Sequence, residues 1–334
     1  MIRIGFFGTP ELSRDVLMDI LYASDMEVVC VITNPDTPYG RDQVMRSTPV
    51  RILAQERNIP VFTPTKIREN TEFFDILRIF DCDYFIVVAY GRILPLELLE
   101  IPKKQSVNIH GSILPKYRWA SPIQSALLHG EKETGVTIMK MSAGMDEGDI
   151  LKICTISIDP SETTLTLFEK FSKLAWPTLI QTIRELEAGG ITSLSQDPAE
   201  ATYCKKIEKE DGCVDWSKSA RDIYHMWQGY TPWPGIYTMY DWKRLLLEIV
   251  SWIGHREGRS NPENKNEYWD TERIDSQARN DVVVGQVIKL EDGSIWIICG
   301  KWILTLDQVK LEWKKSQNIK DFVNGNQKFI HHIL

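Results

Sequence analysis

The first half of the chain alternates apolar runs with segments whose apolar residues recur at helical spacing. Four runs have the continuous apolar character of strands buried on both faces: residues 2–7, 27–33, 84–90 and 105–110. Helical periodicity occupies two of the intervening segments: residues 11–24 and 48–58. Because parallel strands need a crossover that is usually a helix, this alternation predicts an α/β, doubly wound (Rossmann-like) N-terminal domain.

The pattern changes in the second half. Residues 164–190 predict one long helix that ends at a Gly-Gly pair, and residues 191–207 are polar and aperiodic, as an extended linker is. A helix is expected at 216–230, and short strands follow it: residues 244–253, 284–290, 294–300 and 301–309. Such strands predict a small C-terminal β-barrel (OB-like) domain. The predicted division is therefore a first domain, a linker and a barrel: residues 1–190, 191–207 and 208–334.

Composition narrows the class of protein. A length of 334 residues suits two domains, and a net charge of −7 means that any nucleic-acid surface must be local. Six scattered cysteines without a CxxC pair indicate reduced thiols and no zinc site. No apolar run approaches the roughly 20 residues that cross a bilayer, and we expect the first residues, MIRIGFF, to form a strand rather than a signal peptide. We expect a cytoplasmic monomer that binds neither membrane nor metal, with a solvated loop at 255–281.

Two common catalytic motifs are absent. The turn after the first strand contains Gly5 and Gly8, but the third glycine of GxGxxG is missing and Pro10 stands where the helix begins. The HGS sequence at 110–112 lacks the G-x-S-x-G elbow of serine hydrolases. The sequence therefore does not support nicotinamide chemistry or a nucleophilic serine.

Three polar residues suggest acyl transfer. Asn108 and His110 lie two residues apart at the end of an apolar run, so their side chains share one face of a strand. Their N–H groups could stabilise the charge that forms on a carbonyl oxygen under attack by an amine. Asp146, between two glycines, could hold the imidazole, stabilise its charged form, or accept the proton of the amine through a water.

The residue types alone leave alternatives open. Glu147 and Asp149 could supply the acid equally well. A histidine after an apolar run and an asparagine at a strand end also suit structural roles, and the acidic cluster suits an exposed turn or a divalent cation. Chemistry by itself therefore does not decide between a catalytic and a structural trio.

The order of motifs resembles the formyltransferase family that uses 10-formyltetrahydrofolate. The resemblance extends through nearly the whole chain and rests on these segments: FFGTPELS, TNPDTPYGR, STPVRILA, IPVFTP, VVAYGRILP, VNIHGSILPKYR, PIQSAL, ETGVTIMKMSAGMDEGDIL, TYCKKIEKEDGCVDWSKSA and YTPWPG. It implies transfer of a formyl group from 10-formyltetrahydrofolate, without a metal, to the α-amino group of methionyl-initiator tRNA for translation initiation.

Carried over residue by residue, the resemblance implies that Asn108, His110 and Asp146 are the catalytic residues. It places the pterin of the folate co-substrate in a pocket formed by two loops: Tyr90, Arg92, Ile93, Leu94, Pro95, Ser112, Ile113, Leu114 and Pro115. Apolar walls with exposed backbone groups can grip a flat heterocycle and read its edges. For the apolar members, ordinary core packing is the alternative.

The RNA-binding residues are less well defined. The resemblance implies a loop arginine, Arg41, with Arg46 as a second candidate and with Lys314 and Lys315 in the barrel. The family loop is typically GRGKK, whereas this chain continues with Asp-Gln-Val after Arg41, which weakens attraction to phosphate. Residues 210–334 contain 16 Lys and Arg against 18 Asp and Glu, so the predicted barrel is slightly acidic.

Trp119 is the second departure, because the family usually has glycine there, in R-G-A-A-P. A bulky ring could repack locally, narrow the site, or stack on the terminal base of the substrate. Two other functions therefore stay open at this point. One is formylation of a sugar nucleotide by the same donor and trio, and the other is a catalytically silent RNA-binding or interaction protein.

Overall fold

A computed structural model describes residues 1–39, 44–252, 283–290 and 292–334. By their contacts the residues form two compact units. The N-terminal unit comprises Met1–Ile123, Lys132–Ile158 and Thr166–Lys205. The C-terminal unit comprises Gln124–Glu131, Asp159–Leu165 and Lys206–Leu334. Of the sequence-predicted features, Arg41 and the loop at 255–281 lie outside the described residues.

Strands and helices alternate through the first 205 residues. The strands are β1 (Ile2–Gly8), β2 (Met26–Ile32), β3 (Thr37–Tyr39), β4 (Val44–Arg46), β5 (Val61–Phe62), β6 (Tyr84–Val88), β7 (Gln105–His110), β8 (Arg118–Trp119), β9 (Glu133–Lys140), β10 (Ile150–Ser157) and β11 (Tyr203–Cys204). The helices are α1 (Glu11–Tyr22), α2 (Pro49–Glu56), α3 (Thr71–Ile79), α4 (Leu96–Leu99), α5 (Pro122–Leu128) and α6 (Thr164–Glu187).

Seven of these strands form one mixed sheet in the order β10-β9-β7-β6-β1-β2-β5. Strands β7, β6, β1, β2 and β5 are parallel to one another, which confirms the predicted doubly wound α/β class. The sequence pattern did not predict the two remaining strands, and β9 pairs antiparallel with both β7 and β10. The connection at 141–149 is too short for the crossover that a parallel pair needs, so β10 returns as a hairpin partner.

The turn between β1 and α1 is a close packing point. Ser13 of α1 is fully buried, and its hydroxyl donates to the Val88 carbonyl at the end of β6, 2.6 Å away. A Cβ on Gly8 would lie 2.6 Å from the Ser13 Cβ, so the glycine lets the helix approach the sheet. This packing accounts for the glycine without any nucleotide. Pro10 is the N-cap of α1, with φ −78°.

Neighbouring parallel strands bring the first site residues to one edge of the sheet. Strand β7 lies between β6 and β9, with Asn108 opposite Val87 and Met139, and with His110 opposite Thr137. Because β6 and β7 run the same way, the loops that follow them leave the sheet at its carboxyl edge. Open α/β sheets bind ligands outside this edge.

The described part of the C-terminal unit contains an antiparallel sheet and two α-helices that lie wholly within the unit. Its strands are β12 (Ile236–Tyr240), β13 (Lys243–Trp252), β14 (Val287–Lys289), β15 (Ile295–Ile298), β16 (Ile303–Leu311) and β17 (Gln317–Asn318), and its helices are α7 (Ala220–Tyr230) and α8 (Ile319–Gly325). The sheet order is β12-β13-β16-β15-β14, and β17 pairs with β16. Helix α7 begins at Ala220 rather than at the predicted 216, because the Ser219 hydroxyl caps it by accepting from the Asp222 N–H.

An apolar core lies between this sheet and its helices. It includes Ile223 of α7, Phe322 of α8 and Leu304 of β16, each fully buried. A separate antiparallel C-terminal sheet domain is thus present, as the change in sequence pattern predicted. Within the ranges that the structure describes, no helix is both long and apolar enough to cross a membrane.

Candidate active site

A buried histidine faces an aspartate at the end of β7. His110 is 5% exposed, and its Nδ1 lies 3.6 Å from Oδ2 of Asp146. In the sequence, Asp146 follows His110 by 36 positions, and the hairpin between β9 and β10 brings it back to the histidine. The structure therefore brings these two sequence-predicted residues together.

A hydrogen bond from the other ring nitrogen of His110 fixes the tautomer. Nε2 lies 2.9 Å from the Tyr117 carbonyl oxygen, which can only accept a hydrogen bond, so Nε2 carries a proton. In the neutral ring, Nδ1 is then the unprotonated nitrogen, and it is the one that faces Asp146. The backbone of Tyr117, rather than an acid, sets the tautomer. This partner was not recognised in the sequence.

Asp146 is held by a second backbone group. The N–H of Trp119 donates to Oδ2, the same oxygen that faces His110, over 2.8 Å. Asp146 itself has a φ of +52°, in the left-handed region that residues other than glycine rarely adopt. A carboxylate whose aim depends on such a backbone conformation needs support from its surroundings.

The two rival acids point elsewhere. Glu147 is half-exposed and forms an ion pair with Arg118 at 3.6 Å. Asp149 accepts hydrogen bonds from the hydroxyls of Ser193 and Ser195, at 3.2 and 3.1 Å. Of the three acidic residues that the sequence left open, Asp146 is the one that the structure places at the imidazole.

Asn108 completes the trio from the same strand. Its side chain is partly exposed, and it lies two residues before His110 on the same face of β7. Within the described ranges its amide forms no hydrogen bond. An amide of this kind is free to donate to a ligand.

The loop after β7 holds four of the predicted folate residues. Ser112 is fully buried, and its hydroxyl donates to the Lys116 carbonyl at 2.6 Å. The hydroxyl of Thr137 donates to the Ser112 carbonyl at 2.6 Å and accepts from the Leu114 N–H at 3.3 Å. Leu114 packs in a small apolar cluster, and the Leu114–Pro115 bond is cis. Ile113 and Pro115 are partly exposed. Strand β9 thus fixes the conformation of this loop.

The loop after β6 holds the other five. Leu94 packs in the core, and Arg92 donates to the carbonyls of Pro64 and Thr65, at 2.7 and 2.9 Å, so both have structural contacts. Pro95 is partly exposed and precedes α4. Ile93 is 55% exposed, an apolar side chain open to a ligand.

Tyr90 is the unusual member of this loop. Its ring is 2% exposed and contacts Phe7 edge-on at 5.6 Å, yet its hydroxyl is buried without a hydrogen-bond partner in the described part of the chain. Burial raises the pKa of the Tyr90 phenol, and the nearby Arg92 guanidinium opposes that rise. A buried hydroxyl without a partner is costly, and a bound ligand or water is the usual remedy.

The predicted RNA contacts within the described ranges belong to both units. Arg46 is exposed at the end of the short β3–β4 hairpin in the N-terminal unit. Lys314 and Lys315 are exposed in the turn between β16 and β17 of the C-terminal unit. In the described ranges, no group of three or more His, Cys, Asp or Glu side chains is arranged to hold a metal ion.

Sequence reasoning missed the residues that surround the pair. Arg118 is 2% exposed and donates to Oε1 of Gln196, and Gln196 donates to the carbonyls of Asp146 and Gly148. Gln196 lies in the stretch that the sequence predicts as a linker. A single glutamine in a polar, aperiodic segment gives no signal that could have identified it.

Comparison with known proteins identifies the family. The sequence pattern of the formyl transferase family matches residues 2–183, and that of the formyl transferase C-terminal domain matches residues 206–327. The methionyl-tRNA formyltransferase of Desulfotalea psychrophila is 37% identical over 324 residues, which cover 97% of this chain and 93% of that protein. The methionyl-tRNA formyltransferase of Clostridium novyi is 34% identical over 333 residues, covering 100% of both chains.

Solved structures share the fold. An N-formyltransferase from Helicobacter canadensis, crystallised with folinic acid and dTDP-3-aminofucose, aligns with a TM-score of 0.60 at 16% identity, over 92% of this chain and 99% of that one. HypX from Aquifex aeolicus, in complex with tetrahydrofolic acid, aligns with a TM-score of 0.57 at 15% identity, over 98% of this chain and 48% of that one. At such identities the likeness supports the fold alone. The sequence matches go further, and they show that this chain belongs to the formyl transferase family.

Proposed function

We propose that this protein transfers a formyl group from 10-formyltetrahydrofolate to the α-amino group of methionyl-initiator tRNA, in the cytoplasm, for translation initiation. The observation that carries the proposal is the His110–Asp146 pair, 3.6 Å apart, in a chain that matches methionyl-tRNA formyltransferases over nearly its whole length. Both units are included in that match.

The geometry of the three residues supports a role for each. The Asn108 amide has no other partner in the described ranges, so it donates to the formyl oxygen as negative charge develops there. Nδ1 of His110 is unprotonated in the neutral ring and accepts the proton that the amine loses. Asp146 stabilises the imidazolium, which keeps its other proton on Nε2, bonded to the Tyr117 carbonyl. The imidazolium then returns the proton from Nδ1 to the folate nitrogen as the bond between that nitrogen and the formyl carbon breaks, so that tetrahydrofolate leaves as an amine.

The residues of the two loops fit the folate co-substrate, which supplies the formyl group. Tyr90 offers a buried hydroxyl that lacks a partner in the described residues, and Ile93 offers an exposed apolar surface beside it in the chain. Ser112 and Leu114 shape the second loop through their buried contacts. A flat heterocycle with polar edges needs this combination of apolar walls and a few fixed polar groups.

We assign the catalytic and tRNA-binding functions to different segments of the chain. We assign residues 1–190 to catalysis, 191–207 to the linker and 208–334 to tRNA binding. Arg41, Arg46, Lys314 and Lys315 are the candidate phosphate contacts, and those within the described ranges are exposed. Phosphate contacts position a nucleic acid without reading its sequence, so these residues are expected to affect acceptor affinity rather than turnover. The protein is proposed to act as a monomer.

A formylation assay tests the function directly. Purified protein with 10-formyltetrahydrofolate is expected to formylate methionyl-initiator tRNA, and product is followed by acid gel electrophoresis of the tRNA or by mass spectrometry of the released amino acid. Uncharged initiator tRNA and methionyl-elongator tRNA are the matched controls. In parallel, the same enzyme receives a nucleotide-linked amino sugar. Formylation of the sugar alone would show that the acceptor is a sugar nucleotide rather than tRNA. No turnover with either acceptor would indicate a catalytically silent interaction protein.

Trp119 provides a second test, because its φ of +87° is one that glycine adopts without strain. Its N–H to Asp146 belongs to the backbone and survives a change of side chain. In Trp119→Gly, relief of about 1–2 kcal/mol of left-handed strain offsets the roughly 0.5–1 kcal/mol that the freedom of glycine in the unfolded chain costs. We therefore expect an unchanged or higher melting temperature, and kcat within about threefold of the wild type, because the catalytic contacts are kept.

The indole is 51% exposed, so it is accessible to a ligand. Separate measurement of KM for the acceptor distinguishes local packing from a substrate contact. A tenfold rise in the acceptor KM at unchanged kcat would show that the ring stacks on the substrate, contrary to this expectation.

A further inference from the structure

Residues 193–204, which we call the strap, cross both loops that carry the partners of His110. At its start, Leu194 exchanges backbone hydrogen bonds with Ile150, at 2.8 and 2.9 Å. At its end, Tyr203–Cys204 forms a short parallel pair with Arg118–Trp119. All these residues belong to the N-terminal unit. The segment is thus paired near both ends rather than simply extended. Two further attachments, made by Gln196 and by Thr202, join it to the loops that carry Asp146 and Tyr117.

The first attachment holds the Asp146 loop. The side-chain N–H₂ of Gln196 donates to the carbonyls of Asp146 and Gly148, at 2.8 and 2.7 Å. Its Oε1 accepts two hydrogen bonds from the buried guanidinium of Arg118, at 2.8 and 3.1 Å. The full hydrogen-bonding capacity of one amide is therefore used between the Asp146 loop and the residue next to Trp119.

The second attachment holds the loop after β7. The hydroxyl of Thr202 accepts from the Tyr117 N–H at 2.8 Å, and its carbonyl accepts from the Arg118 N–H at 2.8 Å. The N–H of Thr202 donates to the Pro115 carbonyl at 3.3 Å. Tyr117 is the residue whose carbonyl binds Nε2 of His110. The strap therefore bonds the backbone of both residues between which the imidazole lies.

Both of these groups have backbone conformations that need outside support. Tyr117 has a φ of +58° and Asp146 a φ of +52°, and neither is glycine. Strained conformations of this kind persist only where the surrounding contacts determine them. Gln196 and Thr202 supply such contacts, one to each residue.

We propose that the strap is a positioning element of the active site, which acts through Gln196 on Asp146 and through Thr202 on Tyr117 to keep His110 between its two partners. This inference rests on the proposed function in that its main readout is formyl transfer. Neither residue touches the imidazole, so both act through another group. A misplacement of about 1 Å at reacting groups can cost about 10²-fold in rate.

Substitutions at Gln196 test the first attachment. Gln196→Glu keeps an acceptor for the buried Arg118 but can no longer donate to the Asp146 and Gly148 carbonyls, so the fold is retained while the loop is released. Gln196→Met is the neutral counterpart. We expect kcat to fall about 10- to 100-fold in both, with the KM for the folate changed by less than about twofold. Ser195→Ala is the matched control, because it removes an exposed bond to Asp149 from the same segment.

A double-mutant cycle separates positioning from general loosening. If Gln196 acts by aiming the Asp146 carboxylate, its loss adds little once that carboxylate is gone. We therefore expect Gln196→Glu combined with Asp146→Asn to be no slower than Asp146→Asn alone. Thr202→Val, which keeps the size of the side chain but not its acceptor, is expected to lower kcat about tenfold by freeing Tyr117. Effects that multiply in the double variant would refute the aiming role.

Amide hydrogen exchange provides a readout that does not need turnover. The Trp119 N–H donates to Asp146, so release of the Asp146 loop is expected to speed exchange of that amide in Gln196→Glu but not in Ser195→Ala. If the wild type formylates but Gln196→Glu matches Ser195→Ala in both kcat and exchange, the inference is wrong. If the wild type does not formylate, the proposed function fails, and the exchange rates alone decide whether the strap holds the loop.

Discussion

Replacement of His110 by alanine is expected to lower kcat for formyl transfer by about 10³-fold, the usual scale for loss of a general base with its charge stabilisation. The imidazole is buried, its tautomer is fixed by the Tyr117 carbonyl, and its free nitrogen faces Asp146 at 3.6 Å. Within the trio, the unprotonated nitrogen of the imidazole is proposed to take up the proton of the amine and to return it to the leaving nitrogen. Binding of the folate, measured by fluorescence or calorimetry, is expected to stay within about threefold of the wild type.

Two further variants separate chemistry from folding. His110→Gln keeps the volume and a donor for the Tyr117 carbonyl but cannot take up a proton, and it is expected to lose as much activity as the alanine variant. His129→Ala is the control, an exposed histidine whose Nδ1 bonds the Ser125 carbonyl. If either His110 variant retained turnover within tenfold of the wild type, the assignment of the base would be abandoned.

Gly148→Ala is expected to destabilise the protein by about 3 kcal/mol, as overpacking against a fixed backbone does. A Cβ at this position would overlap the Lys140 carbonyl oxygen and lie 2.8 Å from its carbonyl carbon. That carbonyl cannot move away cheaply, because the Lys140 N–H donates to the Asp149 carbonyl at 2.9 Å and β9 pairs with β7 at the same residue. The measurement is the melting temperature of the N-terminal unit, which should fall by several degrees.

Gly144→Ala is the control for this prediction. The three atoms nearest to its Cβ would all belong to the side chain of Glu147, which is half-exposed and can turn away, so the change is expected to cost less than about 0.5 kcal/mol. The two glycines flank Asp146. We therefore expect Gly148→Ala to lose activity together with stability, and Gly144→Ala to keep activity near the wild-type level. Equal melting temperatures for the two variants would show that the hairpin connecting β9 and β10 yields more readily than its hydrogen bonds indicate.

Much of the fold was predictable from periodicity. The strands at 2–7 and 105–110 and the helix at 11–24 agree with β1, β7 and α1 to within two residues. They could be told apart because a strand buried on both faces forms a short apolar run, whereas a helix buried on one face repeats its apolar residues at helical spacing. The antiparallel β9 and β10 were not predicted. Strand direction depends on the partner and the connection, and the hydrophobic pattern of a single strand carries neither.

The candidate site was partly predictable. Asn108 and His110 follow a clear strand pattern, so their common face could be derived from spacing alone. The acid could not be chosen among Asp146, Glu147 and Asp149, because three carboxylates within four positions have the same local signal. The structure distinguishes them by their partners, and only Asp146 faces the imidazole. Their catalytic roles stay predictions that the variants above test.

The sequence by itself determined the two-part architecture, the strand that carries Asn108 and His110, and the family to which the chain belongs. Only the tertiary structure decided which acid meets the histidine, which nitrogen carries its proton, and that Gln196 bonds the Asp146 backbone from 50 positions away. The physical reason is the separation along the chain between the residues that interact. Burial imposes a periodic pattern on the residues of one strand or helix, whereas contacts between loops depend on how distant segments pack and leave no pattern in either segment.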